Sequence, residues 1–135
     1  MDLSSVMTIA AAGMRAQSAR LQATAENLAN AETTGLVPGG DPFRRHTVSF
    51  TERRDRGSGL DLVGVGRFGE DTAPFDLRYE PGHPAADANG YVKYPNVNPL
   101  IELVDMREAQ RSYEANLNAL QLARSMIGRT LDLLR

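Results

Sequence analysis

The amino-acid sequence predicts a mainly α fold with a small β or irregular insert. Two long N- and C-terminal helices form a coiled-coil layer, and a middle segment of short strands and loops joins them. At both ends of the chain apolar residues recur at alternating gaps of four and three, the spacing of a heptad seam. Between the ends the composition changes: ten of the twelve glycines and six of the seven prolines fall in residues 31–98, and both residue types interrupt helices. The expected divisions are the N-terminal helix in 1–32, a β-leaning or irregular region over 33–98, and the C-terminal helix in 99–135.

The N-terminal seam runs through Leu3, Met7, Ala10, Met14, Gln17, Leu21, Thr24 and Leu28. Ala, Gln, Arg and Glu fill most other positions and favour helix, which leaves Gly13 as the weak point. The helix should cover about residues 3–30, because Thr33, Thr34 and Gly35, followed by Pro38, Gly39, Gly40 and Pro42, cannot sustain it. In the middle segment the strand candidates are Arg45–Thr51, Leu60–Val65, Phe75–Tyr79 and Tyr91–Tyr94, each bounded by Gly, Pro, Asp or Asn. They form two hairpins or stay largely irregular.

The second helix has a defined start. Asn98 can cap free N–H groups, Pro99 suits the first helical position, and Glu102 complements the positive end of the helix dipole. Its seam runs through Leu103, Met106, Gln110, Tyr113, Leu117, Leu120, Arg124, Ile127, Leu131 and Leu134. At about 1.5 Å per residue the two helices would span roughly 42 and 54 Å.

Composition narrows the function. Fifteen basic and seventeen acidic side chains leave a formal charge of −2, too weak a field to draw the chain onto nucleic acid or an anionic membrane. Arg44, Arg45, His46, Arg53, Arg54 and Arg56 are interrupted by Glu52 and Asp55 and read as a solvated or ion-paired face. There is no cysteine, hence no disulfide, thiolate metal site or thiol nucleophile. With 6% aromatic residues and no Trp, the core should be thin and aliphatic. The apolar stretch from Val6 to Met14 is short, Ala-rich and preceded by Asp2, so no cleavable signal peptide is expected. No run approaches the roughly 20 apolar residues that cross a bilayer.

Motifs for chemistry fail on context. Gly64-Val65-Gly66-Arg67-Phe68-Gly69 has the G-x-G-x-x-G spacing, but Glu70, Asp71, Thr72, Ala73 and Pro74 follow where a phosphate-binding helix should begin, so it reads as a glycine-rich loop. Around Asp87-Ala88-Asn89-Gly90 a calcium loop would need carboxylates where Ala85 and Asn96 stand, which leaves an Asn-Gly turn. His46 and His83 have no second ligand at helical or hairpin spacing. No enzyme activity, cofactor or metal is expected.

What remains is assembly or, on the same spacing, an ordinary helical hairpin docked on the middle segment. A lone helix pair cannot cover both seams and also Val6, Ile9, Ala11, Ala12, Ile101, Val104 and Leu133, and leaving several aliphatic side chains in water favours association. Gln17, Thr24, Gln110 and Arg124 interrupt the seams and would fix register and partner number. The subunit-packing residues are then Leu3, Met7, Met14, Leu21, Leu28, Leu103, Met106, Tyr113, Leu117, Leu120, Ile127, Leu131 and Leu134.

Five tracts also carry a resemblance. Leu21 through Gly35 reads LQATAENLANAETTG, with an N-L-A-N core of Asn27, Leu28, Ala29 and Asn30 before a turn at Gly35. Pro42-Phe43-Arg44-Arg45 follows. Next come the tract from Tyr79 to Asp87, with Pro81, His83 and Pro84, and the tract from Gly90 to Asn98, with Tyr91, Tyr94, Pro95 and Asn96. The last is Glu108 to Asn116. In this order the chain resembles the flagellar basal-body rod proteins, closest to their proximal-rod members; Glu26 stands where a second Asn often occurs.

The resemblance implies a structural subunit of the bacterial flagellar rod that transmits torque from the membrane ring to the hook. Its terminal helices would line an axial tube and its middle segment would form an outer layer. It implies copies of itself, other rod subunits, and membrane-ring and export-gate proteins as partners. It also implies type III export, without a cleaved signal peptide, to a periplasmic rod. The seams alone equally allow a helical adaptor or filament subunit of another secretion-type assembly.

Overall fold

The computed structural model describes residues 2–133. Its elements are helix α1 (Leu3–Ala29), strands β1 (His46–Arg54), β2 (Asp61–Glu70), β3 (Asp76–Tyr79) and β4 (Tyr91–Tyr94), and helix α2 (Pro99–Leu133). The helices fall where the heptad spacing and the Asn98-Pro99 start place them, and Asn98 Oδ1 accepts the Leu100 N–H at 3.1 Å. Leu134 lies outside the described residues. All four strand candidates form, as two two-stranded sheets, β1 with β2 and β3 with β4.

One reading is corrected: Gly64 to Gly69, taken for a loop, lies within β2. A Cβ on Gly66 would stand 2.6 Å from Thr51 Cγ2 and 3.1 Å from Ser49 Oγ. Glycine is there because β1 side chains cross that position, so the missing side chain closes a ribbon instead of cradling a phosphate.

The chain folds as two compact units. One gathers the chain up to Leu21, Val48–Arg67 and the chain from Arg107 onward; the other gathers Gln22–Thr47 and Phe68–Met106.

In the first unit the helices run antiparallel. Gly13 faces Asn116, and Arg20 hydrogen-bonds Glu108 at 3.2 Å. The fully buried side chains are small: Ala10, Ala12 and Ala16 on α1 and Ala109 and Ala123 on α2, with Leu62 of β2. Short side chains let helix backbones approach closely.

In the second unit β3 and β4 pair antiparallel, with Tyr79 opposite Tyr91 and Asp76 opposite Tyr94. Val92, Tyr94 and Ala85 form its apolar cluster, with Ala86 packed against it. The turn before β4 uses the Asp87 carboxylate, which accepts the N–H groups of Asn89 and Tyr91. Gly90 closes it at φ +83°, where a Cβ would also meet Tyr79 Cε2 at 2.9 Å. Only glycine fits both conditions.

Candidate functional site

Two features stand out: helix faces left uncovered, and a buried polar network. On α2 the residues covered by the chain itself follow Glu102, Met106, Ala109, Tyr113, Asn116, Leu120, Ala123 and Ile127, again at alternating gaps of four and three. This line shares Met106, Tyr113, Leu120 and Ile127 with the expected seam. At the alternate positions it passes one residue earlier, so that Gln110 and Arg124 are exposed while Ala109 and Ala123 are buried. Close packing selects the small side chain of each adjacent pair. Leu117 is half-buried, whereas Leu103 and Leu131 remain 43% and 60% exposed. On α1, Leu3, Met7, Met14, Leu21 and Leu28 are each only half-buried. Leu100, Ile101 and Val104 at the start of α2, and Leu122, Met126 and Leu133 near its end, add exposed apolar surface.

The polar network belongs to the second unit. Asn27 and Glu102 are each 1% exposed. The Asn27 amide pairs with the backbone of β1 as another strand would. Its Nδ2 donates to the His46 carbonyl at 2.9 Å, and its Oδ1 accepts the His46 N–H at 2.7 Å. The same Nδ2 reaches Glu102 Oε2 at 3.2 Å, while Arg45 Nε donates to Glu102 Oε1. Arg45 also lies 3.8 Å from both Asp71 and Asp105. Burial of Glu102 is thus compensated on both carboxylate oxygens, the condition for a buried charge to be tolerated.

The neighbouring signature residues extend this network. Asn96 Oδ1 accepts the Arg45 N–H at 2.9 Å, and its Nδ2 donates to the carbonyls of Asp71 and Ala73. Arg44 donates to the same two carbonyls and lies 4.2 Å over the Phe75 ring. Phe43 packs on His46, whose Nδ1 lies 2.9 Å from Glu26 Oε2. Hydrogen bonds from Gln22 and His46 hold the Glu26 carboxyl below its usual range. The tract from Pro42 to His46 is therefore an ion-paired, docked segment. Its cations are occupied by the fold.

The remaining signature residues shape the backbone. Asn30 Nδ2 donates to the Glu26 carbonyl at 2.8 Å and ends α1 next to Ala29. A Cβ on Gly35 would stand 2.6 Å from the Gly40 carbonyl oxygen, so the turn there admits no side chain. Tyr79 and Tyr91 meet edge to face at 5.3 Å, and Pro81 borders Gly90. His83 Nδ1 accepts the Ala85 N–H at 3.0 Å, which occupies one ring nitrogen in holding a turn beside the exposed Pro84. Tyr94 lies under the Arg78 guanidinium at 4.0 Å; burial, helped by Glu80, pushes its phenol above the usual range. Pro95 is buried, and Asn98 caps α2.

Sequence reasoning missed Glu102 and Arg45 as partners. Fifty-seven positions separate them, and a glutamate in a first helical turn is explained locally by the dipole. The signal that was available is Asn27, a poor helix former in the last turn of α1. Among the described residues no group of three or more His, Asp or Glu is placed to hold a metal ion, and no helix is long and apolar enough to cross a membrane.

Residues 88–133 match the family described as flagellar basal body rod FlgEFG protein C-terminal. A flagellar basal-body rod protein FlgC from Agrobacterium fabrum is 50% identical over 133 residues, covering 98% of this chain and 96% of its own. The chain belongs to the FlgC family of flagellar basal-body rod proteins. FlgC of Salmonella typhimurium is 45% identical with 98% of each chain covered, and FlgC of Aquifex aeolicus is 38% identical with 98% and 97% covered. This FlgC-family chain is a structural subunit of the basal-body rod. The relatives do not favour an adaptor or filament subunit of another secretion system.

Proposed function

We propose that the chain is a non-catalytic subunit of the proximal rod, whose segments 1–32 and 99–135 form a coiled-coil layer lining an axial tube while 33–98 forms an outer layer. Torque passes from the membrane ring toward the hook through this helix packing. Its neighbours are copies of itself, other rod subunits and, at the base, membrane-ring and export-gate proteins. The family relationship supports export through the flagellum's own type III apparatus to a periplasmic rod.

The observation that carries the reading is the incomplete cover of both helices. The chain spends its alanines on internal packing and leaves the large seam residues half-buried or exposed, Leu103 and Leu131 among them. Removing one aliphatic side chain from water is worth about 1.5–3 kcal/mol, so neighbouring helices stabilise the assembled state.

Leu103→Asp and Leu131→Asp change residues the isolated chain does not bury. Both variants should be made and should keep the circular dichroism of the parent chain, yet leave cells without completed rods and non-motile. Normal swimming in either variant would overturn the role of that position.

A further inference from the structure

One cavity of the first unit is left open by a glycine that the fold does not require. It lies between α1 and the β1–β2 ribbon, holds about 170 Å³, and has Ala12 and Ala16 of α1 and Leu62 and Gly64 of β2 in its walls. A Cβ on Gly64 would meet nothing closer than Thr51 at 3.8 Å, an ordinary contact, and its φ is not positive. Gly66, two residues on, differs: a Cβ there would strike Thr51 Cγ2 at 2.6 Å. Glycine weakens a strand interior, and one that the strand itself does not need marks a place where another group comes close to the backbone.

The walls define the chemistry of that group. The exposed Arg15 and Arg53 also line the cavity, and among the described residues neither forms a salt bridge. The carboxylates near them in the ribbon are turned away or occupied. Glu52 alternates onto the face opposite Thr51 and Arg53, and Asp61, on the face opposite Leu62, pairs with Arg54 at 3.5 Å. Asp55 accepts the Ser58 N–H and hydroxyl at 2.9 and 2.6 Å. Two guanidiniums beside apolar walls suit a carboxylate on a short aliphatic stem. We propose that this cavity receives a glutamate or aspartate side chain of an adjacent rod subunit, its carboxylate held by Arg15 and Arg53 and its methylene groups packed on Ala12, Ala16 and Leu62. That the carboxylate comes from a subunit rests on the rod-subunit reading.

The test fills the cavity and then removes its charge. In the purified full chain the urea midpoint of Gly64→Val should be no lower than that of the parent, whereas Gly66→Val should lower it. In cells Gly64→Val should be produced and folded yet lost from assembled rods. Arg15→Gln combined with Arg53→Gln should be lost in the same way, while Arg15→Lys with Arg53→Lys keeps the charge and should retain more incorporation than the glutamine pair. Val63 is exposed and also lines the cavity; photoreactive benzoylphenylalanine in its place should cross-link, in irradiated rods, to a subunit peptide that contains Asp or Glu. A lowered midpoint for Gly64→Val would overturn the spare space, and normal rods from the glutamine pair would overturn the carboxylate. Cross-linking to no subunit would overturn a subunit side chain as the occupant in favour of a free small carboxylate. If Gly64→Val and the glutamine pair both build rods while Leu103→Asp does not, the cavity inference falls and the rod-subunit reading stands; if the parent chain itself is not incorporated, that reading falls.

Discussion

The unit built on Ala12, Ala16 and Ala109 is held by shape, whereas the unit built on Asn27, Arg45 and Glu102 is held by pairing. In the first, small side chains and Gly13 bring α1 and α2 together, and the buried residues are alanines and Leu62. In the second, three of the buried residues are Thr24, Asn27 and Glu102, and the latter two are tolerated only because side chains far apart in sequence satisfy them. The two units should therefore fail in opposite ways. The first breaks when something is added, and the second when something is taken away.

The largest effect is expected at Glu102. Glu102→Ala removes the buried carboxylate that Arg45 and Asn27 share, leaving Arg45 its longer contacts to Asp71 and Asp105, and should cost about 3–5 kcal/mol, read as a lower urea midpoint. Glu102→Gln keeps a hydrogen-bonding group of similar shape and should cost clearly less. Equal losses for the two would mean that the carboxylate charge dominates and the hydrogen bond to Asn27 contributes little. In the other unit Ala16→Leu forces extra methylene groups between closely packed elements and should cost about 1–3 kcal/mol. The same substitution at exposed Ala29 should change stability by no more than about 0.5 kcal/mol.

Gly13 sharpens the comparison. By propensity alone Gly13→Ala should stabilise a helix by about 1 kcal/mol, but the new Cβ would stand 2.8 Å from the Asn116 amide, which itself donates to the Ser112 carbonyl. The expected outcome is a net loss of about 1 kcal/mol for Gly13→Ala. In an Asn116→Ala background the same change should become stabilising. A double-mutant cycle without that change of sign would show that helix propensity, and not close approach, governs the position.

This position also shows what the sequence could and could not disclose. The spacing of Leu and Met located both helices, and Asn98-Pro99 fixed the start of α2, because periodicity and capping are local. The buried face was not legible. Alanine and leucine both register as apolar, and only the distance between the helices decides that Ala109 and Ala123 turn inward while Leu103 stays half in water. Gly13 read as a defect for the same reason, since Asn116 is remote in sequence. The signature asparagines were visible as a pattern, but their work was not: Asn27 and Asn96 each bond the backbone flanking Arg45, and nothing near them in the chain points to it.

The smallest expected effect is a pH dependence. Glu26 is partly exposed and joined to His46 and Gln22, which hold its folded-state pKa below the ordinary glutamate value. A carboxyl depressed in this way contributes stability that is fully present above its unfolded pKa and is lost as pH falls through its folded one. The paired unit should thus weaken on acidification through the carboxylate range, and Glu26→Gln should flatten that part of the profile while leaving the shape-held unit unchanged. Hydrogen exchange between about pH 6 and pH 3 reads the two units separately. Faster opening of the Asn27 amide on acidification in the parent chain, absent from Glu26→Gln, is the expected result; equal acid sensitivity in both would assign it to Asp41 instead, whose carboxyl Lys93 holds low in the same unit.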